Sequence, residues 1–212
     1  MHPERALEQL GQCRIVPVVT VPTTEAGVEL GRRSFAMGLR AIEVTLRTDA
    51  AAATISALRE ACPELLVGAG SVLTEADLRA ARDAGAQFTV SPGLDWSVLK
   101  AAAEAGVLHV PGVATPSEML GAQAAGAQLL KLFPAETLNG RSLLAAVAGP
   151  MPKLRFFPTG GIRQDIAADY LGLPNVACIG GSWIASNADL RAGAWASVEA
   201  RLAEAARLAS RH

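Results

Sequence analysis

Ala125-Gly126-Ala127-Gln128-Leu129-Leu130-Lys131-Leu132-Phe133-Pro134 holds the joint from which the fold can be read. A glycine closes one helical pattern, and the apolar run after it is too short for another helix. That run reads as a buried strand. The same joint recurs at Met37-Gly38, Ala84-Gly85 and Ala105-Gly106, each one to three residues before an apolar run. Glycine suits those positions because it alone takes the left-handed conformation without cost. Working outward, strands are expected at 15–20, 41–45, 65–68, 87–91, 108–112, 129–132, 155–157 and 176–180. Helical patterns fill the gaps at 24–36, 50–61, 75–84, 96–104, 116–125, 141–148 and 166–171, with a last helix from about 189 to the end. Thr23, Thr48 or Asp49, Thr74 and Thr115 are placed to cap the helices that follow them. Thr115-Pro116-Ser117-Glu118 has the spacing of a capping box.

Eight strands alternating with helices, joined by short loops without a linker, predict one α/β domain over 1–212. Its fold class is a (β/α)8 TIM barrel with an extra N-terminal helix over 1–10. An open doubly wound sheet has the same periodicity. Against it, no G-x-G-x-x-G follows the first strand, and polar residues gather at the C-terminal ends of many strands.

Lys131 is out of place in its strand. The chain has three lysines against sixteen arginines; Lys100 follows a helix-like stretch and Lys153 sits beside two prolines in a loop, so both read as solvated. Burial disfavours an ammonium. A lysine there is either half of a buried ion pair or a neutral amine able to form a Schiff base with a carbonyl substrate. Side chains alternate along a strand, so Leu129, Lys131 and Phe133 share one face while Leu130 and Leu132 share the other. On the second strand Ala41, Glu43, Thr45 and Arg47 share a face, with Ile42, Val44 and Leu46 opposite. The aliphatic faces belong against the helices. Glu43 and Lys131 therefore point into the same barrel interior, with Arg47 near its mouth. Glu43 is a structural partner of the lysine or a general acid/base tuned by burial. Arg47 suits an anionic substrate group, unless it pairs at the surface with Asp49.

The loops add to this. Val67-Gly68-Ala69-Gly70-Ser71 offers close backbone approach and a hydroxyl, and Ser91-Pro92-Gly93 closes the fourth strand. Thr159-Gly160-Gly161 follows the seventh strand and Gly180-Gly181-Ser182 the eighth. Paired glycines at those two strand ends are expected to aim N–H groups at one phosphate, with Ser182 opening a short helix.

Other chemistry is disfavoured. The formal net charge of −1 comes from scattered residues, which argues against a nucleic-acid partner or a polybasic membrane surface. No run approaches the roughly 18 apolar residues of a membrane span, and the charged N-terminus is unlike a signal peptide. Cys13, Cys62 and Cys178 are odd in number and widely spaced, favouring a reducing cytoplasm over a disulfide framework or a zinc knuckle. His2, His109 and His212 form no metal-binding spacing, and His109 reads as a satisfied core histidine.

With these residues in hand, the chain resembles the 2-keto-3-deoxy-6-phosphogluconate (KDPG) and 4-hydroxy-2-oxoglutarate (KHG) aldolase family. The likeness runs from about Ile15 to Trp183 and rests on several segments in order. They are Glu43-Val44-Thr45-Leu46-Arg47-Thr48, Gly68-Ala69-Gly70, Ser91-Pro92-Gly93-Leu94, Lys131-Leu132-Phe133-Pro134-Ala135-Glu136, Phe157-Pro158-Thr159-Gly160-Gly161-Ile162 and Cys178-Ile179-Gly180-Gly181-Ser182-Trp183. The resemblance implies a class I aldolase releasing pyruvate, with Lys131 as Schiff-base lysine and Glu43 as general acid/base. It implies that Arg47 and Ser71 hold the pyruvate carboxylate, and that Pro92 and Phe133 shape the pocket. Gly160, Gly161 and Ser182 bind the phosphate, with Thr159, Gly180 and Gly181 in the same substrate-binding set. No cofactor or metal is implied. The partner is a small phosphorylated keto acid, and the assembly a homotrimer. One departure is Ser71, where the family usually carries threonine. The rival readings are a phosphogalactonate-type sibling aldolase, a phosphate-binding barrel isomerase or synthase without a covalent intermediate, and a non-catalytic binding barrel.

Overall fold

The protein is described by a computed structural model covering residues 2–211. Met1, at the head of the expected first helix, and His212, the last residue of the expected domain, lie outside the described residues. Parallel strands β1 (Ile15–Val19), β2 (Ala41–Thr45), β3 (Leu66–Gly70), β4 (Phe88–Val90) and β5 (Leu108–Val110) pair in sequence order. The wall continues as β6 (Gly112–Val113) and β7 (Lys131–Leu132), and β8 (Ile179–Gly181) pairs with β1. Single-residue bridges from Leu130 to Phe156 and from Phe156 to Val176 close the ring. The expected barrel is thus present, with its sixth to eighth positions less regular than expected.

Proline explains much of the irregularity, because it has no N–H to give to a ladder. Pro111 splits the expected strand 108–112 into β5 and β6, while its carbonyl still accepts from the Lys131 N–H at 2.9 Å. Pro158 likewise cuts short the expected strand 155–157, which is reduced to the bridge at Phe156. Closure there runs through Thr159 N–H to Leu132 O (3.0 Å) and Gly180 N–H to Pro158 O (3.0 Å).

The helices follow their sequence signals closely. α1 (Pro3–Cys13) precedes the barrel; α2 (Thr24–Ala36), α3 (Ala50–Ala61) and α5 (Trp96–Glu104) have the expected bounds, and α4 (Glu75–Asp83), α6 (Pro116–Ala124) and α7 (Gly140–Ala148) lie within a residue of them. α8 (Ala167–Leu171) is entered through a 3-10 turn over Gln164–Ile166. The expected last helix is instead two, α9 (Asn187–Ala192) and α10 (Trp195–Ala209), because Gly193 takes φ 61° between them. Thr23 caps α2, and Thr74 and Thr115 form capping boxes with Asp77 and Glu118. Asp49 makes no side-chain cap, and the Thr48 hydroxyl donates to Val21 O. Gly38, Gly85, Gly106 and Gly126 all have φ between 66° and 95°.

The strand parity produces two cores. Ile42, Val44, Leu130 and Leu132 pack outward against the helices. Ala41, Leu66, Phe88, Val110, Leu129 and Phe157 fill the interior together with Ala6, Leu10 and Cys13 of α1. The extra helix therefore plugs the N-terminal end of the barrel. Arg14 fastens it by donating to the carbonyls of Leu171, Val176 and Ala177 at 2.7, 2.9 and 2.6 Å. With that end filled, the interior opens toward the C-terminal ends of the strands. No helix among the described residues is long and apolar enough to cross a membrane.

Candidate active site

Glu43 lies in the middle of β2, level with Val18 of β1 and Gly68 of β3. Its side chain is 0% exposed and that of Lys131 is 6% exposed, and Lys131 Nζ lies 3.9 Å from Glu43 Oε1. That is ion-pair contact but too long for a hydrogen bond. Neither carboxylate oxygen of Glu43 has a hydrogen-bond partner among the described residues. Burial lifts the Glu43 carboxyl above its ordinary range, and the charges of Lys131 and Arg47 only partly counter it. A carboxyl raised in this way is suited to take and return a proton.

The surroundings are cut to this pair. A Cβ at Gly70 would lie 2.0 Å from Glu43 Oε1, so the absence of a side chain there makes the carboxyl's place. Lys131 Nζ stands 4.9 Å from the centre of the Phe133 ring, a cation–π distance. The amine, the acid and an aromatic wall therefore share one buried space.

Toward the mouth, Thr45 Oγ1 donates to Val19 O (3.1 Å) and lies 2.8 Å from Thr20 Oγ1. Arg47 is exposed, and its Nε donates to Ser71 Oγ at 2.9 Å. Among the described residues Arg47 forms no ion pair, with Asp49 or any other carboxylate. Its remaining N–H groups and the Ser71 hydroxyl proton are thus available to an anion. Ser71 itself has φ 58°, a left-handed conformation that costs a residue with a Cβ roughly 1–2 kcal/mol. Pro92 stands beside this mouth in the loop after β4, and Gly112 of β6 packs on it: a Cβ there would fall 2.2 Å from the Pro92 carbonyl carbon.

The two glycine pairs behave differently. Gly160 and Gly161 sit in a loop at φ 95° and 81°. The loop is tied to the segment after Lys131 by Ala135 N–H to Thr159 O (2.8 Å) and Glu136 N–H to Gly160 O (3.0 Å). Gly180 and Gly181 instead lie buried within β8, and the Gly180 N–H is committed to Pro158 O. Gly180 serves close packing: a Cβ there would fall 2.2 Å from Thr159 Cγ2. Thr159 Oγ1 is buried without a hydrogen-bond partner among the described residues. Ser182 is exposed in a turn after β8 and does not open a helix, since α9 starts at Asn187 with Ser186 as its cap. Of the anion cradle expected from both pairs, Gly160 and Gly161 thus lie in a loop, Gly180 is committed to the strand, and Gly181 and Ser182 follow at the end of β8.

His109 faces the helices, with Nδ1 2.9 Å from Thr89 Oγ1 and Nε2 3.3 Å from Ser91 Oγ. Burial pulls its pKa down to about 4. It is the satisfied core histidine the sequence suggested. Among the described residues no three His, Cys, Asp or Glu side chains group as metal ligands. Two features escaped the sequence reading. The Thr20–Thr45 hydroxyl pair could have been found by extending parity along β1. The bond between Tyr170 and Glu136, described below, has no sequence signature.

Comparison with known proteins agrees with the geometry. Residues 7–201 match the family model described as KDPG and KHG aldolase. The KHG/KDPG aldolase of Escherichia coli K12 is 44% identical over 179 residues, 84% of each chain. The 2-dehydro-3-deoxy-phosphogluconate aldolase of Pseudomonas aeruginosa is 42% identical over 188 residues, 89% of this chain and 86% of that one. A crystal structure of KDPG aldolase from Legionella pneumophila, with pyruvate captured as a covalent carbinolamine, superimposes with a TM-score of 0.89 at 34% identity, covering 93% of this chain and 96% of that one. On these grounds the chain belongs to the KDPG and KHG aldolase family.

Proposed function

We propose that the protein is a class I aldolase that reversibly cleaves 2-dehydro-3-deoxy-6-phosphogluconate to pyruvate and glyceraldehyde 3-phosphate. It also cleaves 4-hydroxy-2-oxoglutarate to pyruvate and glyoxylate. The observation carrying this reading is the buried Lys131–Glu43 pair, 3.9 Å apart in a barrel interior closed at its other end.

In the mechanism, the substrate carboxylate lies on Arg47 and Ser71, which fixes the C2 carbonyl over Lys131. The Lys131 amine adds to C2 through its nitrogen lone pair, and Glu43 carries the displaced proton to the carbonyl oxygen, giving a carbinolamine. Glu43 then gives the proton of its own carboxyl to that hydroxyl, which leaves as water, so that an iminium forms beside the Glu43 carboxylate. Removal of the C4 hydroxyl proton by the Glu43 carboxylate drives cleavage of the C3–C4 bond. The bonding electrons flow into the iminium to give an enamine, and the aldehyde leaves. Protonation of the enamine at C3 and addition of water at C2 release pyruvate and restore the amine. Phe133 and Pro92 wall the pocket, and Gly160, Gly161 and Ser182 hold the remote phosphate. That contact supplies binding energy that orients the reacting carbon atoms. No cofactor takes part.

Reduction with borohydride in the presence of pyruvate tests the proposal. The expected result is loss of activity with one pyruvate-derived adduct, located by peptide mass at Lys131. An unmodified protein, or an adduct on Lys100 or Lys153, refutes it. Turnover of the two C4-epimeric substrates separates this reading from a phosphogalactonate-type sibling. We also infer a homotrimer working in the cytoplasm. The second inference is supported by three free, buried thiols; sedimentation equilibrium tests the first.

A further inference from the structure

Tyr170 is the only tyrosine in the chain and is fully buried on α8. Its hydroxyl donates to Glu136 Oε1 at 2.6 Å, a short bond to a carboxylate. Space for the hydroxyl comes from Gly140 at the start of α7, where a Cβ would fall 2.8 Å from it. At its other end Glu136 meets the loop after Phe156. Its N–H donates to Gly160 O at 3.0 Å. Its Cβ and Cγ lie 2.8 and 3.3 Å from where a Cβ of Gly161 would be. The side chain is thus held at its tip by Tyr170 and at its root by Gly160, and its stem backs Gly161.

We propose that Tyr170 and Glu136 are positioning residues that hold the Gly160–Gly161 loop in shape for the phosphate end of the substrate. This inference rests on the aldolase reading above. Glu136 forms no salt bridge among the described residues, although its charge is felt by Arg163. The neighbouring cations Arg141 and Arg163 have their own partners, Asp169 at 2.6 Å and Asp165 at 3.1 Å. A carboxylate beside a phosphate loop opposes anion binding unless it is restrained, and the Tyr170 hydroxyl restrains it. The hydroxyl keeps its proton for this purpose, since burial and the Glu136 carboxylate both push its pKa up.

The test compares Tyr170→Phe with the unaltered protein on a phosphorylated and a non-phosphorylated substrate. Tyr170→Phe is expected to raise KM for 2-dehydro-3-deoxy-6-phosphogluconate about tenfold, the effect of one lost charged hydrogen bond, with kcat changed less than twofold. Turnover of 4-hydroxy-2-oxoglutarate, which has no phosphate, is expected to stay within twofold and serves as an internal check of folding. Glu136→Gln alone still accepts from Tyr170 and is expected to keep KM within threefold of the unaltered protein. Equal losses on both substrates, or an unchanged KM for the phosphorylated one, overturn the inference. Calorimetric titration with inorganic phosphate needs no turnover and is expected to show about tenfold weaker binding in Tyr170→Phe. Weakened phosphate binding in a protein that cleaves neither substrate sustains the positioning role and refutes the aldolase reading. Unchanged phosphate binding refutes the positioning role whatever the turnover.

Discussion

Gly70→Ala isolates the placement of one carboxyl group. The new Cβ would sit 2.0 Å from Glu43 Oε1, 2.8 Å from Cδ and 2.9 Å from Cγ. Ordinary van der Waals contact begins near 3.4 Å, so the carboxyl has to retreat by roughly 1.4 Å. Displacement of a catalytic group by about 1 Å can cost on the order of 100-fold in rate. The expected outcome is a kcat for phosphogluconate cleavage at least about 100-fold lower, with slower borohydride trapping of pyruvate. Gly68→Ala, two residues earlier on the same strand, is the control. Its Cβ would meet the Phe88 ring first, at 2.3 Å. It overpacks the inner core at a cost of about 1–3 kcal/mol, a fall in Tm of roughly 2–12 °C, while kcat stays within a few-fold. Steady-state kinetics and thermal unfolding on both variants decide the matter. If Gly70→Ala keeps kcat within threefold, or if the two variants lose activity equally, the assigned role of Glu43 is wrong.

His109 is held at a pKa of about 4 in the folded protein, below its ordinary value of about 6.5. The unfolded chain binds the extra proton between those values, so stability falls as pH drops from 6.5 toward 4, by about 3 kcal/mol in all. His109→Gln is expected to flatten that part of a urea-unfolding profile, and an unchanged slope counts against it. Glu43 has the opposite sign. Its folded pKa is raised, so the folded state holds a proton that the unfolded chain has lost above about pH 4.3. Its contribution to stability therefore declines as pH rises from there through the elevated folded value. Glu43→Gln is expected to remove that decline along with the activity, and a parallel profile contradicts the shift. Ser71→Gly relieves a left-handed residue, worth about 1 kcal/mol, but leaves Arg47 without its partner. The expected result is equal or greater stability with a higher KM for pyruvate in the reverse reaction, and an unchanged KM dissociates Ser71 from the carboxylate.

How much of this was legible beforehand depended on the range of the interaction. Helix ends are local, so Gly38, Gly85, Gly106 and Gly126 marked them correctly, as did Thr74 and Thr115. Strand faces are also local, and parity placed Glu43 and Lys131 inside the barrel while Ile42 and Leu130 went outside. The seventh strand failed because its pairing depends on what Pro158 cannot donate and on neighbours far along the chain. Gly193 was read as part of a continuous helix because one glycine in an amphipathic pattern does not announce a break. The Gly180–Gly181 pair looked like a second anion loop in sequence. In space it lies within β8, where Gly180 makes way for Thr159 and Gly181 for Trp183 and Ile184. Tyr170 and Glu136 meet across separate βα units in a gap left by Gly140, and no spacing encodes that.

The ion-pair alternative for Lys131 can be weighed against the geometry. A structural pair in a dry interior offsets the cost of desolvation only through close contact and additional hydrogen bonds to the remaining polar atoms. Here Lys131 and Glu43 are 3.9 Å apart, and both carboxyl oxygens lack a hydrogen-bond partner among the described residues. Each unmet buried acceptor costs roughly 1–3 kcal/mol. Glycine at position 70 leaves the pocket open to the carboxyl where a side chain would press on it. A sequence selected for stability alone could replace the pair with two aliphatic residues of similar volume, as Leu66 and Val110 do elsewhere in the same interior. An acid and an amine kept close but unbonded, beneath a mouth whose guanidinium has no ion pair among the described residues, destabilise the folded state. Covalent work on a carbonyl substrate accounts for both the charge and the gap, because the substrate's C2 and its oxygen have to fit between them.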